Sequence, residues 1–278
     1  MSELLTERTP RVVAARKLLR RAARFEAGRF LVEGLRPVRD ALTWAEAEHE
    51  KRRVHDLFLT DAVADRYPEL GDRAEAAGVR VARVTDKAAA ALSDTVTPQG
   101  VAAVCSTVTV GLDEALAGDP RLVTVLVGVA DPGNAGTVVR TSDAAGADAV
   151  VLAGEAVDPH NGKCVRASMG SLFHVPLAVH RDVDEVLDAL RARGLTVLAT
   201  AGDGDTVLDA TADALLAGPT AWLFGNEAHG LDDAVARRAD RRVRVPIHGW
   251  AESLNLATAA AVCLYASARV QHVRPDGA

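Results

Sequence analysis

Two α/β domains in series, the second built on a parallel sheet with helices on both faces, are what the sequence predicts, and three features predict them. At 278 residues the chain exceeds one typical domain. From Leu122 onward, strand-length apolar runs alternate with stretches of helical periodicity, the pattern of a parallel sheet. Before that point, residues 111–121 contain Gly118, Asp119 and Pro120 and read as a linker, so the expected boundaries are 1–107, 108–121 and 122–278.

In the first domain, Val12, Val13, Leu18 and Leu19 are spaced among basic residues as one helix over 9–23, which Gly28 ends. A short strand follows over 29–33, then a helix carrying Pro37, Val38, Ala41, Leu42 and Trp44. Strands are expected at 54–60 and 79–84, with a helical stretch at 61–77 interrupted by Pro68 and Gly71. Thr85 caps a helix to Leu92, and 101–110 supplies a last strand. In the second domain the run 122–129 is apolar throughout, as a strand covered on both faces requires. Strands at 149–153, 174–179, 195–200, 220–225 and 242–246 and helices at 134–146, 182–193 and 253–270 complete the pattern, and fraying is expected after Val273.

Composition narrows the class. Hydrophobic residues make up 49% and charged residues 25%, the balance of an ordinary water-soluble protein with a core. Cys105, Cys164 and Cys263 lie far apart with no CxxC and no histidine at ligand spacing, so buried reduced thiols are expected, with no disulfide framework and no metal site. Residues 1–10 have no apolar signal region, and no stretch reaches the roughly 18 uninterrupted apolar residues of a membrane span, so a cytoplasmic protein without membrane contact is expected. The formal net charge of −6 argues against indiscriminate coating of nucleic acid. Its distribution says more. Arg8, Arg11, Arg16, Lys17, Arg20, Arg21 and Arg24 form a basic run without an acidic residue, and Arg237, Arg238, Arg241, Arg242 and Arg244 form a second. Local basic faces on an acidic body suit a polyanion held at a defined place.

Three stretches carry chemistry. The first strand of the second domain empties into Asp131-Pro132-Gly133-Asn134-Ala135-Gly136-Thr137, a glycine turn feeding a helix start, where free N–H groups and the helix dipole favour anions or nucleotides. With Glu155 after the next strand, this turn by itself allows a nicotinamide-dependent oxidoreductase, although its spacing is Gly-x-x-Gly and not Gly-x-Gly-x-x-Gly. The other two stretches are Phe224-Gly225-Asn226-Glu227-Ala228-His229-Gly230-Leu231 and Val245-Pro246-Ile247 leading to Glu252-Ser253-Leu254-Asn255-Leu256-Ala257. Each runs from an apolar strand into a polar loop, and the second opens a helix in which Ser253 and Asn255 are natural capping residues. Ser253 has no Asp-His context of a hydrolase, which disfavours a nucleophilic serine.

Taken together, and with Arg166-Ala167-Ser168-Met169-Gly170 between them, these stretches resemble the three motifs of the SpoU (TrmH) family of RNA ribose 2′-O-methyltransferases. Phe30-Leu31-Val32-Glu33-Gly34 and Pro98-Gln99-Gly100 are similar to that family's ribosomal-protein-like RNA-binding domain. The resemblance implies a SPOUT domain with a C-terminal trefoil knot, S-adenosylmethionine as cofactor, structured RNA as substrate, with rRNA ahead of tRNA, and a homodimer. It assigns the acceptor side to Asn134, Arg140, Glu227, Ser253 and Asn255. It assigns the cofactor to Thr200, Ala201, Gly202, Phe224, Gly225, Asn226, Gly230, Val245, Ile247, Ser253 and Leu254. Arg16, Lys17, Arg20, Arg21 and Arg24 would hold RNA phosphates. For Arg140 the family implies contact with the acceptor ribose or its phosphate, as proton acceptor or as electrostatic stabiliser; a guanidinium stays charged far above neutrality, which makes the second role physically easier. A catalytically silent RNA-binding protein of the same fold is the alternative that the intact motif residues oppose. Ala228 stands where the family carries glycine, and if the loop required a positive φ there, alanine would cost about 1 kcal/mol.

Overall fold

The computed structural model describes residues 4–46 and 53–272, so the expected fraying after Val273 lies outside the described residues. The chain divides into two compact units, Met1–Val108 with Asp158–His174, and Thr109–Val157 with Val175–Ala278.

The first unit is a four-stranded sheet, β1 (Arg29–Glu33), β2 (Val54–Leu59), β3 (Arg80–Arg83) and β4 (Val101–Ser106), in the order β1-β4-β2-β3. β4 runs antiparallel to both β1 and β2, and β3 runs parallel to β2. Phe30, Leu57, Phe58 and Leu59 are essentially buried, and because the last three are consecutive and point to alternate faces, β2 is covered on both sides. The single helix expected over 9–23 is two, Pro10–Lys17 and Arg21–Ala27. Arg24 explains the break. Its guanidinium donates to the carbonyls of Leu18 and Leu19, both at 3.0 Å, which satisfies backbone groups that a continuous helix would have used itself. Gly71 does not interrupt its helix, Pro68–Ala76, whereas Pro68 starts it.

The segment 158–174 packs with this unit although it lies between strands of the other. Phe173 stacks on Phe30 with ring centroids 6.2 Å apart, and His160 packs on the same ring at 4.7 Å while its Nε2 accepts from the Val108 N–H. Asp158 receives Nε and Nη2 of Arg24 at 2.9 and 2.7 Å. Burial pushes the Asp158 carboxyl up, but His160 and Arg24 outweigh it and hold it well below the ordinary carboxylate range. Arg24 is 5% exposed and Asp158 is partly buried, so Arg24→Ala strands a partly desolvated carboxylate. The expected loss is about 3 kcal/mol or more, read as a fall of roughly 10 °C in the unfolding midpoint by calorimetry.

The second unit is an eight-stranded sheet with β5 (Thr109–Val110), β6 (Leu122–Val127), β7 (Ala149–Ala153), β8 (Leu177–His180), β9 (Thr196–Thr200), β10 (Thr206–Val207), β11 (Thr220–Phe224) and β12 (Arg241–Arg244). Its order is β10-β12-β9-β11-β6-β7-β8-β5 and every pairing is parallel. The strand expected over 101–110 is thus divided between sheets, β4 in the first and β5 in the second, and residues 111–121 carry the short helix Leu112–Ala115. Val123, Val125, Val151, Val197, Ala221 and Leu223 are fully buried between the helical layers, as continuous apolar runs require. Cys105, Cys164 and Cys263 are buried and none is in a disulfide, and burial pushes the Cys263 thiol up to about 12. Among the described residues no helix is long and apolar enough to cross a membrane, and no group of three or more His, Cys, Asp or Glu is placed to hold a metal ion.

Candidate active site

Because all eight strands run the same way, their carboxyl ends share one edge of the sheet. From β6 the chain steps to β7 and β8 on one side, while β11, β9 and β12 lie on the other. Ligands of open parallel sheets bind at such a reversal. On the β11 side of that reversal the loops after β9, β11 and β12 enclose a pocket of about 400 Å³ lined by Thr200–Gly202, Gly225–Ala228, Gly230, Val243, Val245, Ile247, Glu252, Ser253 and Leu254, with Leu256 and Ala259 from the last helix.

Gly225 is where a side chain cannot exist. A Cβ built on it would lie 2.2 Å from the carbonyl carbon of Gly230 and 2.3 Å from the nitrogen of Leu231. That approach is held by a reciprocal pair of backbone hydrogen bonds, Asn226 N–H to Gly230 O at 2.9 Å and Gly230 N–H to Asn226 O at 2.8 Å. The Asn226 side chain ties the loop inward, donating to the Gly128 carbonyl at 2.8 Å and accepting from the Ala228 N–H at 2.9 Å. The positive φ of this loop falls on Gly230 at 71°, and Ala228 is not left-handed, so alanine there carries none of the strain that the sequence suggested.

Glu227 gathers the other motifs. Its carboxylate accepts from the N–H groups of Ala130 and Asp131 and from Nδ2 of Asn134, each at 3.1 Å. Asn134 Oδ1 in turn accepts from Nδ2 of Asn255 at 3.2 Å. One acid therefore locks three separate stretches of chain. Asp131 caps the helix Pro132–Ala144 through the Asn134 N–H at 2.8 Å, and Asn255 caps Leu256–Gln271 through the N–H groups of Ala257 and Thr258. The helix expected from 253 starts at Leu256, which leaves Ser253 in the loop on the pocket wall. Desolvation pushes the Glu227 carboxyl up, and donation from Asn134 and the two backbone N–H groups more than offsets it, so its pKa is lowered. A lowered pKa means that these contacts hold above the ordinary carboxylate value and fail only as pH falls through the lower one. The affinity for S-adenosylhomocysteine, followed by calorimetry in a descending pH series, is expected to stay flat through the normal carboxylate range and drop below it. In Glu227→Gln the affinity is weaker and this acid step is absent.

Thus Thr200, Ala201, Gly202, Gly225, Asn226, Gly230, Val245, Ile247, Ser253 and Leu254 all line the pocket. Phe224 does not: it is fully buried in β11, stacked on Trp222 at 6.3 Å, because β11 is covered on both faces. Glu252 and Leu256, part of the third stretch but not assigned to the cofactor, also line the pocket, and Val243 and Ala259 line it without a sequence signal of their own. Asn134 joins Glu227 to Asn255, donating to the first and accepting from the second. Arg140 does neither. It is exposed on the helix Pro132–Ala144, about 240° round from Asn134, and no hydrogen bond or ion pair of its guanidinium is found among the described residues.

The basic runs fare differently. Arg16, Lys17, Arg20 and Arg21 are exposed, but Arg24 is buried against Asp158, so it cannot hold a phosphate. The second run is largely neutralised: Arg237 pairs with Asp233, Arg238 with Asp184 and Asp188, and Arg242 with Asp203.

Residues 121–265 match the SpoU rRNA Methylase family and residues 9–103 match the MRM3-like substrate binding domain. The chain belongs to the SpoU family. It is 33% identical over 265 residues to the 23S rRNA (guanosine(2553)-2′-O)-methyltransferase RlmP of Bacillus subtilis, covering 95% of this chain and 98% of that protein. The AdoMet-bound rRNA methyltransferase of Sinorhizobium meliloti superposes with a TM-score of 0.84 at 31% identity, covering 98% and 99% of the two chains. The SpoU methyltransferase AviRb of Streptomyces viridochromogenes in complex with AdoMet superposes at 0.81 with 30% identity, covering 94% and 98%. This SpoU chain therefore matches its relatives over both units, and the oxidoreductase that its first glycine turn allowed has no support.

Proposed function

We propose that this chain transfers a methyl group from S-adenosylmethionine to a ribose 2′-hydroxyl of ribosomal RNA. The observation that carries the reading is the network through Glu227, Asn134 and Asn255 at the wall of a pocket of about 400 Å³. The pocket fits the cofactor: apolar Val245, Ile247, Leu254 and Leu256 can cover a flat ring, and a few polar groups can fix its orientation. The missing Cβ of Gly225 keeps main chain bare at that wall. Bound there, S-adenosylmethionine supplies a methyl group activated by a sulfonium. What the residues must add is alignment of the hydroxyl and management of its proton. Glu227 orients Asn134, which accepts from Asn255, and Ser253, whose hydroxyl has no hydrogen bond among the described residues, is available to the acceptor ribose. Arg140 stabilises the charge that develops on the ribose oxygen; as the C–O bond forms the sulfonium C–S bond breaks, leaving the neutral thioether S-adenosylhomocysteine, and the hydroxyl proton passes to water.

For Arg140 to act at a pocket it does not line, a second copy must bring it there. A homodimer suits this need, and Val262 and Tyr265, 42% and 53% exposed on the last helix, offer it an apolar face. In the first unit, exposed Arg16, Lys17, Arg20 and Arg21 contact RNA phosphates, and Phe25, 91% exposed one turn after Arg21, adds a stacking face. An rRNA substrate sets the place of action in the cytoplasm.

The test is incubation with tritiated S-adenosylmethionine and 23S rRNA from a strain lacking the gene. Label is expected in an alkali-resistant dinucleotide, the signature of a blocked 2′-hydroxyl. Label confined to bases, or none, defeats the proposal. In a separate filter-binding titration, the triple replacement of Arg16, Lys17 and Arg20 by Glu is expected to weaken RNA binding at least about a hundredfold and to flatten its salt dependence, with cofactor affinity unchanged.

A further inference from the structure

A second cavity, of about 390 Å³, lies wholly in the first unit. Its wall includes Leu35, Pro37, Thr97, Gln99, Arg166 and Met169, none of which belongs to the methyl-transfer pocket. We infer that it is a subsite for one unstacked nucleobase of the RNA substrate, which rests on the reading of the chain as an RNA methyltransferase.

The volume suits a single nucleoside, within the range of small-molecule sites. The lining has the two components that a base requires. Met169, Leu35 and Pro37 provide an apolar cover for the face of a ring, and a thioether is a favourable neighbour of an aromatic edge. Gln99 provides the edge contact. Its Oε1 accepts from the Leu35 N–H at 3.0 Å, which fixes the amide and leaves both Nε2 hydrogens without a hydrogen-bond partner among the described residues. Thr97, exposed at the lip, adds a hydroxyl that can donate or accept. Arg36 and Arg39 at the rim are paired with Asp40 and Glu69, at 2.8 and 2.6 Å, so flanking phosphates would have to compete with those carboxylates for them.

The backbone around the cavity is held under constraint. Met169 has φ 51°, the sole left-handed residue other than glycine among the described residues. It follows the helix Gly162–Ser168, whose Arg166 pairs with Glu33 and Asp94. Gly170 comes next with φ 100°, and a Cβ there would stand 2.0 Å from Oδ2 of Asp40. The segment is thus pinned on both sides of Met169, which keeps its side chain, 42% exposed, at the cavity. Strain of this kind is concentrated at ligand clamps. RNA sequence is read mostly on bases splayed out of helices, stacked on side chains and bonded at their edges, which is the chemistry assembled here.

The experiment uses the full chain with Thr97→Trp, which fills the cavity from its exposed lip, and Gln99→Ala, which removes the edge contact. Filter-binding Kd and steady-state KM are measured with 23S rRNA from a strain lacking the gene, together with S-adenosylhomocysteine affinity by calorimetry. Both variants are expected to raise Kd and KM about tenfold, the loss of one stacked and bonded base, with kcat at saturating RNA and cofactor affinity unchanged. Photocrosslinking to transcripts containing thionucleosides is expected to label the peptide carrying Met169 in the parent chain and not in Thr97→Trp. Unchanged Kd in both variants, or no label near Met169, overturns the subsite. If the parent chain binds rRNA but methylates none, the functional reading fails by itself, and Kd and crosslinking still decide the subsite.

Discussion

Arg140→Ala is expected to bind S-adenosylmethionine as tightly as the parent chain and to lose at least about a hundredfold in kcat, the scale on which one removed electrostatic stabiliser acts. The side chain is exposed and without an ion pair among the described residues, so its removal leaves no buried partner stranded and the fold is expected to stand. A neutral ribose hydroxyl is a poor nucleophile, and a permanently charged guanidinium lowers the free energy of the alkoxide without itself taking the proton. Single-turnover transfer measured beside calorimetric cofactor affinity checks this. Full turnover by the variant would exclude a catalytic role for Arg140.

Replacing Gly225 by alanine is expected to abolish cofactor binding. The added Cβ would meet the main chain of Gly230 and Leu231 at 2.2–2.4 Å, and no rotamer change can relieve contact with backbone. The loop must open, breaking the reciprocal Asn226 and Gly230 hydrogen bonds and displacing Glu227, whose carboxylate ties the first motif to the third through Asn134 and Asn255. Loss of at least about a hundredfold in affinity, with far-UV circular dichroism unchanged, is the expected outcome, because overpacking of about 3 kcal/mol falls on the loop and not on the core. Near-parental affinity would show that the loop tolerates the displacement. The two variants also combine. If Arg140 serves the pocket of a second copy, a mixture of Arg140→Ala and Gly225→Ala regains part of the activity that each has lost, whereas a pocket served in its own chain leaves the mixture inactive.

Much of the site was legible because its residues report local needs. Asp131 and Asn255 stand where helix starts need caps, Asn134 stands in the first turn that Asp131 caps, and Gly225 and Gly230 stand where a loop needs close approach or a left-handed turn. These requirements act over a few residues and leave their mark at fixed spacing. Phe224 was misplaced because its neighbour Gly225 does line the pocket: one step along a strand reverses the side-chain direction, and β11 is buried on both sides. Arg24 looked like its exposed neighbours in a basic run. The distant Asp158, together with the carbonyls of Leu18 and Leu19, draws it inward.

The sequence by itself determined the α/β alternation, the parallel strands and the family motifs, since periodicity and turn chemistry are local and survive in one dimension. Tertiary structure decided which strand ends meet, that Glu227 bridges three motifs, that 158–174 packs with the first unit, and that Arg140 stays outside its own pocket. Those outcomes depend on contacts between residues tens of positions apart, set by sheet order and burial, which no spacing along the chain encodes.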